Sequence, residues 1–261
     1  MAEFTSHQPG TFCWPELATT DQKSAVAFYR ALFGWDVNEQ PTGATETYSM
    51  FQLRGKPVAA GYTMRADERQ RGVPPHWGSY ITVASVEDAV KRAQGLGAKV
   101  LAAPFDVTDS GRMAVLQDPV GAIFSVWQPK RHIGVGILRE PGALCWTELI
   151  TRDTSAAEKF YTQLFGWTAK RGTDGGMEYT ELSNRGAPQA GLLALTPQMG
   201  NIPPAWTPYF AVTDCDAAAK KAADLGGRVY VKPTDIANVG RFAVLADPQG
   251  AVFDIIKLAR A

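Results

Sequence analysis

The sequence predicts an α+β protein built from one unit written twice, and two observations carry that prediction. The segment PGTFCWPELATTD at residues 9–21 returns as PGALCWTELITRD at 141–153, 132 positions further on. Within each copy, strand-like alternation and helix-like apolar spacing follow one another in the same order twice, one helix with several short strands each time. The unit is therefore a pair of βαβββ modules, and the chain holds four.

The elements follow in order. Residues 12–19 alternate as a strand, Asp21 is placed to cap a helix, and residues 25–32 carry helical apolar spacing that stops at Gly34. Residues 48–53 and 57–64 read as strands joined by the tight turn Arg54-Gly55-Lys56. The second module restarts with a strand at 80–84 and a helix at 86–96 closed by Gly97. Strands at 100–102, 113–117 and 123–127 complete it, the last two joined by Asp118-Pro119-Val120-Gly121.

The second copy repeats this plan. Phe28-Tyr29 and Leu32-Phe33-Gly34-Trp35 match Phe160-Tyr161 and Leu164-Phe165-Gly166-Trp167. Further on the offset falls to 129: Trp77 and Tyr80 match Trp206 and Tyr209, Gly111-Arg112 matches Gly240-Arg241, and Asp118-Pro119 matches Asp247-Pro248. Matches over the whole length place the first domain at residues 1–130, a linker crossed by few contacts at 131–140, and the second domain at 141–261.

Of the 261 residues 45% are hydrophobic and 20% charged, enough for a core without disulfides. Lys plus Arg equal Asp plus Glu at 26 each, so the basic footprint of a nucleic-acid binder is missing. The first ten residues have neither a basic start nor an apolar run, and no apolar stretch is long enough for a bilayer, so neither a signal peptide nor a membrane partner is expected. Three widely spaced cysteines argue against a disulfide framework or zinc site and fit a cytoplasmic setting. No GxGxxG or P-loop stands in a nucleotide-binding context.

Paired βαβββ modules with Phe-Tyr on the first helix, Leu-Phe-Gly-Trp closing it and a terminal Asp-Pro-x-Gly-Ala-x-Phe turn resemble the vicinal oxygen chelate superfamily: glyoxalase I, bleomycin-resistance proteins and extradiol dioxygenases. The resemblance spans both copies. It implies two tandem glyoxalase-like domains, each a curved, cup-shaped mixed sheet, with metal ligands, mostly His and Glu, pointing inward from the first and last strand of each module. Carried onto this chain, those positions fall on Trp14, a strand near Gly61, Tyr80 and Ser125 in the first copy, and on Trp146, Leu192, Tyr209 and Asp254 in the second. A divalent ion wants imidazole, carboxylate or thiolate donors. The resemblance therefore implies a fold without its usual metal and no cofactor; the alternative is a residual site in the second copy through Glu148 and Asp254.

Alternation places Phe12, Trp14, Glu16 and Ala18 on one face of their strand and Cys13 on the other. By the resemblance the first set faces the cup, so Glu16 and Glu148 are candidate catalytic acids, and Cys13 and Cys145 are small core residues on the helix side. Arg112 and Arg241 either bind a ligand's anionic group or brace Asp106 and Asp235. Trp14, Trp127, Trp146, Tyr80 and Tyr209 are candidate ligand walls, with Trp77 and Trp206 as walls or core. His76 falls on a loop between modules, and His7 and His132 carry no assigned chemistry. The expected function is binding of a small amphipathic or aromatic molecule in apolar cups; the alternative is a lyase or isomerase, metal-independent with a Glu base or using the residual site. The expected assembly is an internal pseudo-dimer, as a monomer or a homodimer.

Overall fold

Where the repeat begins, the chain enters a strand, and the two copies fold alike from there. The structure is a computed structural model that describes residues 3–43, 46–174 and 177–259. The first half runs β1 (Phe12–Thr19), α1 (Gln22–Phe33), β2 (Asp36–Pro41), β3 (Thr47–Leu53), β4 (Lys56–Thr63), the short α2 (Ala66–Gln70), β5 (His76–Thr82), α3 (Val86–Gly95), β6 (Lys99–Val107), β7 (Gly111–Gln117) and β8 (Ile123–Pro129). The second runs β9 (Leu144–Thr151), α4 (Thr154–Phe165), β10 (Thr168–Asp174), β11 (Met177–Asn184), β12 (Ala187–Ala194), β13 (Ala205–Ala211), α5 (Cys215–Asp224), β14 (Arg228–Ile236), β15 (Gly240–Ala246) and β16 (Val252–Leu258).

Each half forms one eight-stranded mixed sheet, ordered β2-β3-β4-β1-β5-β8-β7-β6 and β10-β11-β12-β9-β13-β16-β15-β14. The first strands of the two modules pair antiparallel at the centre, and each pairs parallel with the last strand of its own module. This is the α+β, two-domain fold that the repeat predicts. No helix among the described residues is long and apolar enough to cross a membrane.

Local chemistry sets the helix limits. Asp21 accepts from Ser24 N and Gly34 closes α1 in the left-handed region; Asp153 and Gly166 do the same for α4. Such a cap is worth about 1 kcal/mol. Ala25, Phe28, Tyr29 and Leu32 bury one face of α1, as Ala157, Phe160, Tyr161 and Leu164 do for α4.

Those helical faces do not pack only on their own sheets. Module one shares a core with module four, and module two with module three. Tyr29 in α1 donates to Asp247 Oδ2 at 3.1 Å, and Tyr161 in α4 donates to Asp118 Oδ2 at 2.8 Å. Each tyrosine in turn accepts an indole N–H, from Trp77 at 3.0 Å and from Trp206 at 2.8 Å. Trp77 and Trp206 are thus interior residues of the helix layer rather than ligand walls. Trp35 and Trp167 donate to carbonyls of Gly142 and Gly10, each in the other half of the chain. The two domains therefore meet helix face to helix face around a pseudo-twofold, leaving the opposite faces of the sheets as cups.

The segment at 131–140 is more than a tether. Val135 N bonds Cys13 O and Gly136 N bonds Pro57 O, Val135 and Ile137 are buried, and a Cβ on Gly134 would lie 2.2 Å from Cys13 O. An apolar Val-Gly-Ile run can occupy that crease because its backbone polar groups find partners there. The expectation of few contacts is corrected accordingly.

Candidate functional site

Directly opposed residues in a ladder share a face, so the strand registers place the cup-facing residues. In the first sheet Trp14, Tyr80 and Ser125 form one row across β1, β5 and β8, and Met50, Ala60 and Glu16 form a second across β3, β4 and β1. In the second sheet the rows are Trp146, Tyr209 and Asp254, and Glu181, Gly191 and Glu148.

Several sequence-based placements change. The β1–β5 register shifts between Phe12 and Trp14, and this bulge turns Phe12 into the helix layer against Trp167 and Trp206. For the same reason Cys13 lies in the apolar cluster of the first cup, its Sγ 3.6 Å from Tyr80 O. Cys145 likewise joins the second cup's cluster, 3.3 Å from Tyr209 O. Burial pushes both thiols up to about 12, so neither is a thiolate. On the last strand of the first module the cup-facing residues are Ala60 and Gly191, while Gly61 and Leu192 face the helices. His76 opens β5, opposite Ala18, rather than lying in a loop.

Arg112 and Arg241 do not reach either cup. They alternate with cup-facing Met113 and Phe242 and so point to the helix side. Arg112 donates to Glu87 at 2.6 Å and lies 3.4 Å from Asp106. Arg241 clamps Asp216 with bonds of 2.6 and 2.9 Å and lies 3.1 Å from Asp235. The bracing role is the one this geometry matches.

The first cup brings together Trp14, Glu16, Tyr80 and Trp127, with three residues the sequence reading missed: Tyr48, Met113 and His132. Tyr48 and Tyr80 donate to opposite oxygens of Glu16, both at 2.6 Å, and Trp14 Nε1 donates to the Tyr48 hydroxyl at 3.1 Å. Burial raises the Glu16 carboxyl, and the two hydroxyls oppose that rise. Burial and the Glu16 charge together raise both tyrosines, which are therefore donors and not bases. His132 stands edge-on to Trp14 at 4.5 Å between ring centroids, its carbonyl accepts from Trp127 Nε1 at 2.8 Å, and burial lowers its imidazole to about 4. The linker thus closes one side of this cup, and Trp14 is only 4% exposed.

The second cup repeats the Trp–Tyr–Glu–Tyr set with different surroundings. Trp146 Nε1 donates to the Tyr179 hydroxyl at 2.9 Å, and Tyr209 donates to Glu148 Oε1 at 3.1 Å. Glu148 is buried and Trp146 is partly buried. Asp254, in the place of Ser125, is buried; burial first and the Glu148 charge second hold its carboxyl well above the ordinary range. A Cβ on Gly191 would lie 1.7 Å from the Tyr179 hydroxyl, so glycine gives that ring its seat. Gly191→Ala is expected to displace Tyr179, red-shift Trp146 fluorescence and cost about 1–3 kcal/mol by overpacking; an unchanged spectrum and urea midpoint would refute the seat.

The donors at the family's metal positions are indole, methyl or hydrogen, phenol, and a hydroxyl or one carboxylate. That set does not fit a divalent first-row ion, and among the described residues no three His, Cys, Asp or Glu group as ligands. A groove of about 590 Å³ opens between α3 and α4 beside Ser85, Arg92, Leu164 and Asn184, and shares no residue with either cup.

Comparison with known proteins agrees with this architecture. The model of the Glyoxalase/Bleomycin resistance protein/Dioxygenase superfamily matches residues 11–126 and 143–255. "Putative glyoxylase CFP32" of Mycobacterium tuberculosis (strain CDC 1551 / Oshkosh) is 41% identical over 99% of both chains. "Anthracycline biosynthesis protein DnrV" of Streptomyces peucetius is 33% identical over 97% of this chain and 95% of that protein. Among solved structures, the Mn(II)-bound glyoxalase from Novosphingobium aromaticivorans has a TM-score of 0.67 at 15% identity, covering 96% of this chain and 82% of that one. The 2,3-dioxygenase LapB from Pseudomonas sp. KL28 has a TM-score of 0.68 at 14% identity, covering 97% and 94%.

Proposed function

The chain belongs to the Glyoxalase/Bleomycin resistance protein/Dioxygenase superfamily, and from that premise we propose that it holds a small amphipathic or aromatic molecule in its second cup without the family's metal. One observation carries the reading: the inward positions that would ligate an ion hold Trp146, Gly191, Tyr209 and Asp254, an aromatic wall around acids. Partly buried Trp146 offers a stacking surface, and Glu148 and Tyr209 offer polar anchors deeper in. The first cup, partly closed by His132, is the lesser site. The names of relatives from anthracycline biosynthesis support a small-molecule ligand.

A second reading, a metal-independent lyase or isomerase, is favoured by the adjacency of Glu148 and Asp254. Burial, and then Glu148, raises the Asp254 carboxyl, and a raised acid beside a second carboxyl is a donor–acceptor pair for proton transfer.

The test is a titration of the purified chain with a panel of aromatic amphiphiles, followed by tryptophan fluorescence, together with metal analysis of protein prepared without chelators. Saturable quenching that Trp146→Ala weakens about tenfold, with metal below about 0.1 per chain, is the expected result. Stoichiometric metal that Asp254→Asn removes would overturn the metal-free reading, and no quenching by any compound would overturn ligand binding.

A further inference from the structure

The two cups share Trp, Tyr and Glu but differ in charge. On the second cup's face Glu148, Glu181 and Asp254 stand where the first carries Glu16, Met50 and Ser125. Among the described residues, Lys170 lies opposite Glu181 on the exposed edge strand β10, Arg139 acts on Cys145 of the same cluster and donates to Pro188 O, and Arg241 is turned to the helix side and clamped by Asp216.

Asp254 is the telling residue. It is 2% exposed, and among the described residues its Oδ1 has no hydrogen-bond partner. Tyr209, its neighbour in the row, donates to Glu148 Oε1 and also lies within hydrogen-bonding reach of the Asp254 carboxyl, yet leaves Oδ1 without a partner. Buried acceptors are nearly always satisfied, because an orphan costs its full desolvation. An acceptor aimed into an aromatic cup asks for a donor that arrives with the ligand.

We propose that the second cup selects ligands carrying a protonated amine on an apolar aromatic body, with Asp254 Oδ1 as the anchor. An ammonium brings three N–H donors and a positive charge. It completes Asp254, balances the acidic face and gains from the π-faces of Trp146 and Phe242. A carboxylate ligand meets repulsion from the same acids. This inference rests on the small-molecule reading of the cup and adds the ligand's charge to it.

The experiment compares 2-phenylethylamine, 2-phenylethanol and phenylacetate by calorimetry on the full chain, wild type, Asp254→Ser and Asp254→Asn. The amine is expected to bind about tenfold tighter than the alcohol, with phenylacetate weakest. Asp254→Ser, which copies Ser125, should bring the amine down to about the affinity of the alcohol; Asp254→Asn, closer in volume, should do the same and guards against a misfolded variant. Equal binding of the three probes, or a preference that survives in both variants, overturns the amine and leaves the small-molecule reading standing. Binding of none of them overturns both. Manganese(II) binding on its own, with amine competing poorly and Asp254→Ser abolishing the metal, would assign the acid to an ion instead.

Discussion

Asp247→Ala is expected to lower the unfolding free energy by about 4 kcal/mol, among the largest losses available from a single side chain here. Asp247 Oδ1 accepts from the backbone N–H groups of Gln249, Gly250 and Ala251 at 2.8–3.0 Å, and Oδ2 accepts from Tyr29 of the other domain. Removing the carboxyl strips the β15–β16 turn of its organiser and orphans a buried hydroxyl that also serves Trp77. Burial raises the Asp247 carboxyl, and the four donors oppose that rise. Asp118→Ala should behave alike through Tyr161, with two backbone donors at 3.0 and 2.8 Å. Asp247→Asn retains the Oδ1 acceptor and should cost about half as much. In a double-mutant cycle, Tyr29→Phe with Asp247→Ala should cost less than the two singles together, because each already breaks the shared bond. Urea midpoints measure all of these. A wild-type midpoint for Asp247→Ala would show that the turn, and the domain contact with it, is held by something else.

This contact explains why the recurrence of Asp-Pro-x-Gly in both copies carried more than turn chemistry. The turn of module four caps the tyrosine of module one, and the turn of module two caps that of module three. A duplicated chain can make both contacts within itself, so one motif builds a hairpin and joins the domains.

The order of elements and the duplication were legible because hydrophobic period, capping Asp and closing Gly all pointed the same way at both copies. The bulge at Phe12–Trp14 was not. Phe, Cys and Trp in succession are all apolar, so a one-residue change of face leaves no mark on the alternation. Arg112 was within reach: Met113 and Trp127 face the cup as partners, and strict period two turns Arg112 away. Tyr48 and Tyr179 recur at matching places, yet an aromatic in a strand reads first as core. The role of His132 depends on a linker folding back over β1, a long-range event without local pattern. The difference between Ser125 and Asp254 was visible in the sequence. Its weight, a buried acceptor with one bare oxygen, emerged only from the register of β9, β13 and β16.

That bare oxygen makes a stability prediction of opposite sign to the first. Asp254 has its folded-state carboxyl well above the ordinary value, by burial and then by Glu148. The folded chain therefore keeps a proton that the unfolded chain, with an aspartate near the usual 3.9 or so, releases. Between those two values the folded state binds more protons, so stability falls as pH rises through the window. Below about pH 3.9 both states are protonated and the effect disappears. Asp254→Asn cannot titrate. It should match wild type in acid and become the more stable protein as pH climbs to neutral, a gap read from urea midpoints at pH 4, 5.5 and 7. Glu16→Gln is the contrasting case: its carbonyl keeps one tyrosine hydroxyl but its NH2 accepts nothing from the other, so the loss of one 2.6 Å bond should offset part of what removing a raised acid gains. Parallel pH profiles for wild type and Asp254→Asn would mean that Asp254 is solvated or paired in solution. A diverging pair would show an acid kept at a cost to the fold, which is what a group retained for its ligand looks like.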